Sequence, residues 1–143
     1  MMVILFIGVL TQGKPSRAVY YLLMNIVNVF FTITLKLIWH LPRPYMVMDG
    51  GVKVIGQSFE FGDPSGHLVS CAQVLTTVFL DYISSEGEKK SWIKNMISCV
   101  LIVIVFILVG YSRMFNGVHT LDQVLTGLLI GLWTAIFGHC IFR

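Results

Sequence analysis

Long apolar stretches alternate with short polar segments along the chain, and this pattern predicts helices that cross a membrane. The stretches cover residues 18–35, 65–84, 92–112 and 119–142. Each stretch is close in length to the roughly 20 residues that a membrane-spanning helix needs. The stretch 65–84 is the least apolar, since it contains Gln73 and Asp81. The apolar segment 2–10 is too short to span and is expected to be a partial span. The sequence therefore predicts an all-α fold, a polytopic transmembrane bundle of four spans plus this partial one.

The composition fits a membrane protein better than a soluble one. Apolar residues make up 56% of the 143 residues and charged residues 12%, whereas soluble domains have about 25% charged residues. The net charge of +3 comes from scattered Lys and Arg residues, while a nucleic-acid site needs them clustered on one face. The three cysteines lie inside apolar stretches, where they are expected to be packing residues. One domain, 1–143, with the bilayer and not nucleic acid as its partner, is predicted.

Polar residues at the ends of the predicted spans fall on one membrane face. Consecutive spans run in alternating directions, so the loop after the first span and the loop after the third lie on the same side. The first and third spans end at this face, and the second and fourth spans begin there. The residues concerned are Lys36, Arg43, Ser65, His67, Arg113 and His119.

The distribution of Lys and Arg predicts which side of the membrane this face occupies. The opposite face has six of these residues: Lys14, Arg17, Lys89, Lys90, Lys94 and Arg143. The face with the polar cluster has four: Lys36, Arg43, Lys53 and Arg113. Because cytoplasmic loops carry an excess of Lys and Arg, the polar face is predicted to be lumenal or extracytoplasmic, in the endoplasmic reticulum or plasma membrane.

Three short segments of this face resemble the signature of a known enzyme superfamily. Lys36 to Pro44 reads KLIWHLPRP, Pro64 to His67 reads PSGH, and Ser112 to His119 reads SRMFNGVH. In this order, at helix ends, they are similar to the three-part signature of the type 2 phosphatidic acid phosphatase (PAP2) superfamily. That superfamily also contains glucose-6-phosphatases and vanadium haloperoxidases. The core motifs span residues 36–123, and together they are far more specific than PSGH alone.

The resemblance implies phosphate monoester hydrolysis by two histidines, with no metal and no cofactor. His119 would be the nucleophile and form a phosphohistidine intermediate. His67 would be the general acid that protonates the leaving alkoxide, and then the base that activates water. His40 and His139 match no catalytic role. Asp63 flanks the site, where it either tunes the histidines or is a solvated loop residue, and we expect the latter.

The remaining motif residues are predicted to bind the phosphate group. Lys36, Arg43 and Arg113 offer fixed positive charge, and Arg can bind two phosphate oxygens at once. Ser65 and Gly66 open a helix, where outward backbone N–H groups and the helix dipole favour an anion. Gly66 also has no side chain to block a close approach.

The residues after the proposed nucleophile depart from the family pattern. Family members commonly have an Asp four residues after this His, whereas here Gln123 holds that position and Asp122 precedes it. Both lie on the same helix face as His119, so either could accept a hydrogen bond from the imidazole, and both belong to the predicted catalytic set. Glucose-6-phosphatases resemble this chain in tolerating Gln. Gln123, Gly127, Gly131 and Ala135 continue the row from His119, and small residues at this spacing predict close helix packing with His119 facing inward.

Three functions stay open at this point. The first is a lipid phosphatase acting on phosphatidic acid, a sphingoid base phosphate or a polyprenyl phosphate. The second is a sugar-phosphate phosphatase of the glucose-6-phosphatase kind, favoured by Gln123 but not by the short chain. The third is an inactive membrane scaffold, which leaves the costly buried charges without a purpose. Because family members have more spans, a homo- or hetero-oligomer also stays open.

Overall fold

The computed structural model describes residues 15–47, 61–84 and 91–142, and these residues form a helical bundle. The helices are α1 (Pro15–Trp39), α2 (Pro44–Val47), α3 (Gly66–Ser84), α4 (Trp92–Phe115) and α5 (Leu121–Phe142). None of the described residues is in a strand, so the prediction of an all-α fold is confirmed. The predicted partial span, 2–10, lies outside the described residues.

Three segments are long and apolar enough to cross a membrane. They are Ser16–Val47, which joins α1 and α2, and the helices Trp92–Phe115 and Leu121–Phe142. Helix α3 is not among them, because Gln73, Thr77 and Asp81 lower its hydropathy. The described residues therefore support an integral membrane protein with three candidate spans, and the predicted count of four is not confirmed.

Helix α3 lies at the centre of the bundle and is packed against α1, α4 and α5. Its polar residues Gln73, Thr77 and Asp81 are buried together with Leu68 and Val69. Helix α4 is the opposite case, since Gly110 alone of its described residues is buried. The polarity of α3 thus follows from its position: its side chains meet protein, whereas those of α4 are suited to meet lipid.

The closest helix approach is between α3 and α5. Gln123, Gly127, Gly131 and Ala135 are all buried on one side of α5. A Cβ atom added at Gly127 would lie 2.8 Å from the Ser65 carbonyl oxygen, and one added at Gly131 would lie 2.5 Å from that of Val69. The absence of side chains therefore lets the two backbones touch, and the predicted inward row of α5 is confirmed.

We expect Gly131→Ala to destabilise the bundle. The added methyl group would lie 2.5 Å from the Val69 carbonyl oxygen and 2.7 Å from the Ala72 Cβ, so α5 must move away from α3. Overpacking of this kind costs about 1–3 kcal/mol, which thermal unfolding in detergent would measure. The matched control is Leu129→Ala, on the same helix but 67% exposed. Equal stability of the two variants would contradict the close approach of the helices.

Candidate active site

The first motif is placed by the end of α1 and the turn that follows it. Lys36 lies in the last turn of α1, where the helix dipole favours a cation. His40 then adopts a positive φ of 51°, and its N–H donates to the Lys36 carbonyl oxygen at 3.2 Å. The chain turns here, so Arg43 is buried just before α2. His40 itself is exposed and stacks edge-on against Phe61.

The second motif is held by backbone hydrogen bonds to the other two motif segments. The N–H of Gly62 donates to the Leu41 carbonyl oxygen at 2.7 Å, and the N–H of Ser65 donates to that of Gln123 at 3.1 Å. The Ser65 carbonyl oxygen then accepts from Leu68 and Val69, which starts α3. His67 therefore lies in the first turn of α3, with its side chain exposed.

The third motif follows the end of α4. Arg113 is in the last turn of this helix, and its carbonyl oxygen accepts from the N–H of Val118 at 3.3 Å. Gly117 has a φ of 66°, a backbone conformation that glycine adopts without steric cost. This tight turn delivers His119, which is only 4% exposed, to a buried position immediately before α5.

Gln123 connects the three motif segments, because its carbonyl oxygen accepts from the N–H of Ser65 and its side chain contacts the other two segments. Its Oε1 lies 3.2 Å from Nδ1 of His119 and accepts from the N–H of Thr120 at 3.3 Å. Its Nε2 donates to the Pro42 carbonyl oxygen at 3.0 Å. Because an amide oxygen can only accept, Nδ1 of His119 carries the proton and Nε2 keeps its lone pair.

Of the two candidates to orient His119, Gln123 makes the hydrogen bond. Asp122 is exposed and interacts with the side chain of Thr120 instead. Both residues lie within one turn of His119, but they point to different sides of α5. His139 is at the other end of this helix, where its Nε2 lies 3.1 Å from the Ser84 hydroxyl.

The two histidines share the same positively charged surroundings. Burial, and then the charge of Arg43, lower the pKa of His119 to about 4; the hydrogen bond to Gln123 opposes this, and Lys36 adds a smaller lowering. Partial desolvation lowers the pKa of His67, and the charges of Arg113, Arg43 and Lys36 lower it further. His67 and His119 are therefore both close to the cations of the first motif, and His119 is neutral at pH 7.

Ser65 of the second motif and Asp63, just before it, differ from expectation. The prediction that the N–H of Ser65 points outward is wrong, because this N–H donates to the Gln123 carbonyl oxygen. The Ser65 side chain is also fully buried. Asp63 is wrong as a solvated loop residue, because it is only 6% exposed. Burial, and then the charge of Asp122, raise the pKa of Asp63. Gly66 stays partly accessible, and a Cβ there would lie no closer than 3.8 Å to a Thr32 methyl group.

Gly62 is a site residue that the sequence reasoning missed. A Cβ atom at this position would lie 2.6 Å from Nε2 of Gln123, so the absence of a side chain at Gly62 leaves room for the amide that contacts Pro42. No motif signals this role, because the contact joins residues that are far apart in sequence. Within the described ranges, no group of three or more His, Cys, Asp and Glu residues could hold a metal ion.

The fold and the three motif segments define a class of membrane protein. The sequence model of the PAP2 superfamily matches residues 17–143, so the chain belongs to this superfamily and the predicted resemblance is confirmed. With its three apolar segments, it is an integral membrane protein. No curated protein matches the chain.

The fold is similar to a solved structure of the same class. It is the crystal structure of the first transmembrane PAP2 type phosphatidylglycerolphosphate phosphatase, from Bacillus subtilis. The TM-score is 0.79 at 23% sequence identity, and the match covers 99% of this chain and 66% of that chain. This similarity concerns the fold, and the chain spans about two thirds of the length of that protein.

We expect alanine to destabilise the protein at Gly62 but not at the nearby Gly66. Gly62→Ala places a methyl group against the Gln123 amide, so it should displace Gln123, lower the melting temperature and loosen His119. Gly66→Ala meets only an ordinary contact with Thr32, so its melting temperature should stay within a degree or two of the parent. Thermal unfolding of both variants checks this. A stable Gly62→Ala protein would show that Gln123 is not held as described.

Proposed function

We propose that this chain is an integral membrane phosphatase. It hydrolyses the monoester of a lipid phosphate, such as phosphatidic acid, a sphingoid base phosphate or a polyprenyl phosphate, through a phosphohistidine intermediate. The observation that carries the proposal is the pair of histidines, His67 and His119, next to the same cations at one end of the bundle. Membership of the PAP2 superfamily supports the same reaction class.

The three cations supply the phosphate site. Lys36 and Arg43 come from the first motif segment and Arg113 from the third, and the charges of all three act on His67. Gathering like charges at a membrane domain is costly, and a phosphate dianion offsets that cost because it binds all of them. Arg side chains can bind two phosphate oxygens at once. Gly66 leaves space at the start of α3, where the helix dipole favours the same anion.

The two histidines divide the chemistry. Nε2 of His119 attacks phosphorus, and the bond from phosphorus to the ester oxygen breaks while His67 donates a proton to the leaving alkoxide. His67 then accepts a proton from water as that water attacks phosphorus, and the bond to Nε2 breaks. Phosphate leaves and His119 is restored. The lowered pKa of His119 keeps the nucleophile unprotonated at neutral pH, and the cations stabilise the charge of the transferring phosphoryl group.

An apolar cleft supports a lipid rather than a sugar as the alcohol part of the substrate. The cleft has a volume of about 660 Å³ and runs between α3, α4 and α5. It is lined by Leu68, which follows His67, and by Met114, which follows Arg113. Its lining is therefore adjacent in the chain to two candidate site residues. A hydrocarbon chain would bury apolar surface there, whereas a sugar would not. The similar solved structure is also described as a phosphatase of a lipid phosphate.

We also propose that α3 crosses the membrane as a fourth span. Its 19 residues give a length of about 28 Å at 1.5 Å per residue, close to the about 30 Å of a hydrocarbon core. Its polar side chains are buried against the other helices, which lowers the cost of placing them at membrane depth. In this arrangement the motif segments share one face, which we assign to the lumenal or extracytoplasmic side.

A sugar-phosphate phosphatase is the second candidate, and one observation favours it. His119 is oriented by the neutral amide of Gln123 rather than by a carboxylate, as the resemblance to glucose-6-phosphatases implies. Glucose 6-phosphate therefore belongs in the substrate panel. An inactive scaffold of the same fold is the remaining alternative.

We expect His119→Ala to abolish phosphate release from phosphatidic acid by the purified protein. Loss of the nucleophile should lower the rate more than about a thousandfold, and release by the parent should survive a metal chelator. The matched control is His139→Gln, at the other end of α5, which should keep its rate. Brief incubation with a ³²P-labelled substrate should label the parent and His139→Gln but not His119→Ala. No release from any lipid phosphate or from glucose 6-phosphate would leave the scaffold as the better interpretation.

A bulky residue in the cleft should impair long-chain substrates alone. Ile102 lines the cleft, whereas Ile104 is exposed on the same helix and does not. We expect Ile102→Trp to raise KM several-fold for long-chain phosphatidic acid, while a short, water-soluble phosphate ester is hydrolysed as before. Ile104→Trp should change neither. If Ile102→Trp behaves like Ile104→Trp, the cleft does not hold the substrate chain.

A further inference from the structure

A cluster of polar side chains is buried in the middle of the bundle, outside the candidate active site. It consists of Asn28 on α1, Gln73 and Thr77 on α3, and Thr134 on α5. Asn28 and Gln73 are 0% and 1% exposed. The cluster therefore joins three helices at a depth where lipid, not water, surrounds the protein, and where unpaired polar groups are costly.

The contacts within the cluster leave two polar atoms without a partner. The Thr134 hydroxyl lies 3.4 Å from Oδ1 of Asn28, and Nε2 of Gln73 donates to the Thr77 hydroxyl at 3.2 Å. Nδ2 of Asn28 and Oε1 of Gln73 have no hydrogen-bond partner among the residues that the structure describes. One atom is a donor and the other an acceptor.

The two residues with unpaired atoms pack against the same turn of α5. Gly131 of α5 lies against the backbone of Gln73, since a Cβ there would be 3.2 Å from the Gln73 nitrogen. Thr134, three residues further along α5, contacts Asn28 and also donates to the Gly131 carbonyl oxygen at 3.0 Å. Asn28 and Gln73 therefore approach the same turn of α5 from α1 and α3.

Exchanging the oxygen and nitrogen of either side-chain amide still leaves one of its polar atoms without a hydrogen-bond partner. The Thr134 hydroxyl has one proton, and its shorter contact is with the Gly131 carbonyl oxygen, so an exchanged Asn28 would donate to Thr134 and leave its own oxygen unpaired. An exchanged Gln73 would accept from Thr77 and leave its nitrogen unpaired. Either way, each amide keeps one polar atom that needs a partner.

We propose that the bundle binds ordered water between α1, α3 and α5, held by the side-chain amides of Asn28 and Gln73. Water is the ligand that fits, because it donates and accepts and satisfies either orientation of each amide. A cation does not fit, since the site offers amides and hydroxyls but no carboxylate. An apolar ligand would leave both amides unpaired.

The water site links the helices that carry the candidate active site. Helix α1 ends next to Lys36, α3 begins next to His67, and α5 follows His119. A water molecule bound to the amides of α1 and α3, with Asn28 in contact with Thr134 of α5, stabilises their arrangement at a depth without connecting loops. This inference does not depend on the proposed enzymatic activity, because it rests on the packing of the bundle alone.

The direct test is an experimental structure of the full chain in lipid nanodiscs, at a resolution that locates water. We expect density within about 2.7–3.2 Å of a side-chain amide atom of both Asn28 and Gln73. A direct hydrogen bond between the two amides, or a site with no density, would overturn the proposal. This test needs no variant and so does not depend on whether a variant folds.

Substitutions give a second readout in the same protein. Asn28→Leu and Gln73→Leu should each lower the melting temperature, because each leaves the partner amide and the water with too few hydrogen bonds. The double variant should lower the melting temperature by less than the sum of the decreases in the two single variants. Asn25→Leu, on the same helix but only partly buried, is the matched control and should change little. Strictly additive losses would contradict a shared water site.

Discussion

The close approach of α5 to α3 is the constraint on which the candidate site depends. Gly127 and Gly131 let the backbones touch, and this contact brings the Gln123 carbonyl oxygen to the N–H of Ser65. The Gln123 side chain then reaches His119 and Pro42. The packing of α5 on α3 therefore also assembles the site, because Gln123 lies at the end of the glycine row and contacts all three motif segments.

The electrostatics of the site follow from this assembly. Turns at His40 and Gly117 bring cations of separate segments to one end of the bundle, where their charges lower the pKa of both histidines. An anion bound there would raise the pKa of His67 again, because it offsets the same charges. On the proposed mechanism, the substrate itself thus helps His67 to hold the proton that the leaving group needs.

Much of this arrangement could be predicted from the sequence, and the failures have physical reasons. Apolar stretches predict the helices because their length is set by the bilayer, and the inward row of α5 follows from helical periodicity. The choice between Asp122 and Gln123 could not be predicted, since both positions lie within one helical turn of His119. The buried N–H of Ser65, the burial of Asp63 and the role of Gly62 depend on long-range contacts. The predicted count of four spans is not confirmed, because the polar residues of α3 lower its hydropathy although protein covers them.

The position of the apolar cleft has a consequence for how the protein meets its substrate. The cleft lies beside α4, whose apolar side chains are at least partly exposed and suited to face lipid. On the proposed function, the substrate therefore reaches the site by lateral diffusion within one leaflet, in two dimensions. The quantity that governs turnover is then the mole fraction of lipid phosphate in that leaflet, and membrane composition, rather than supply from the aqueous phase, determines the rate.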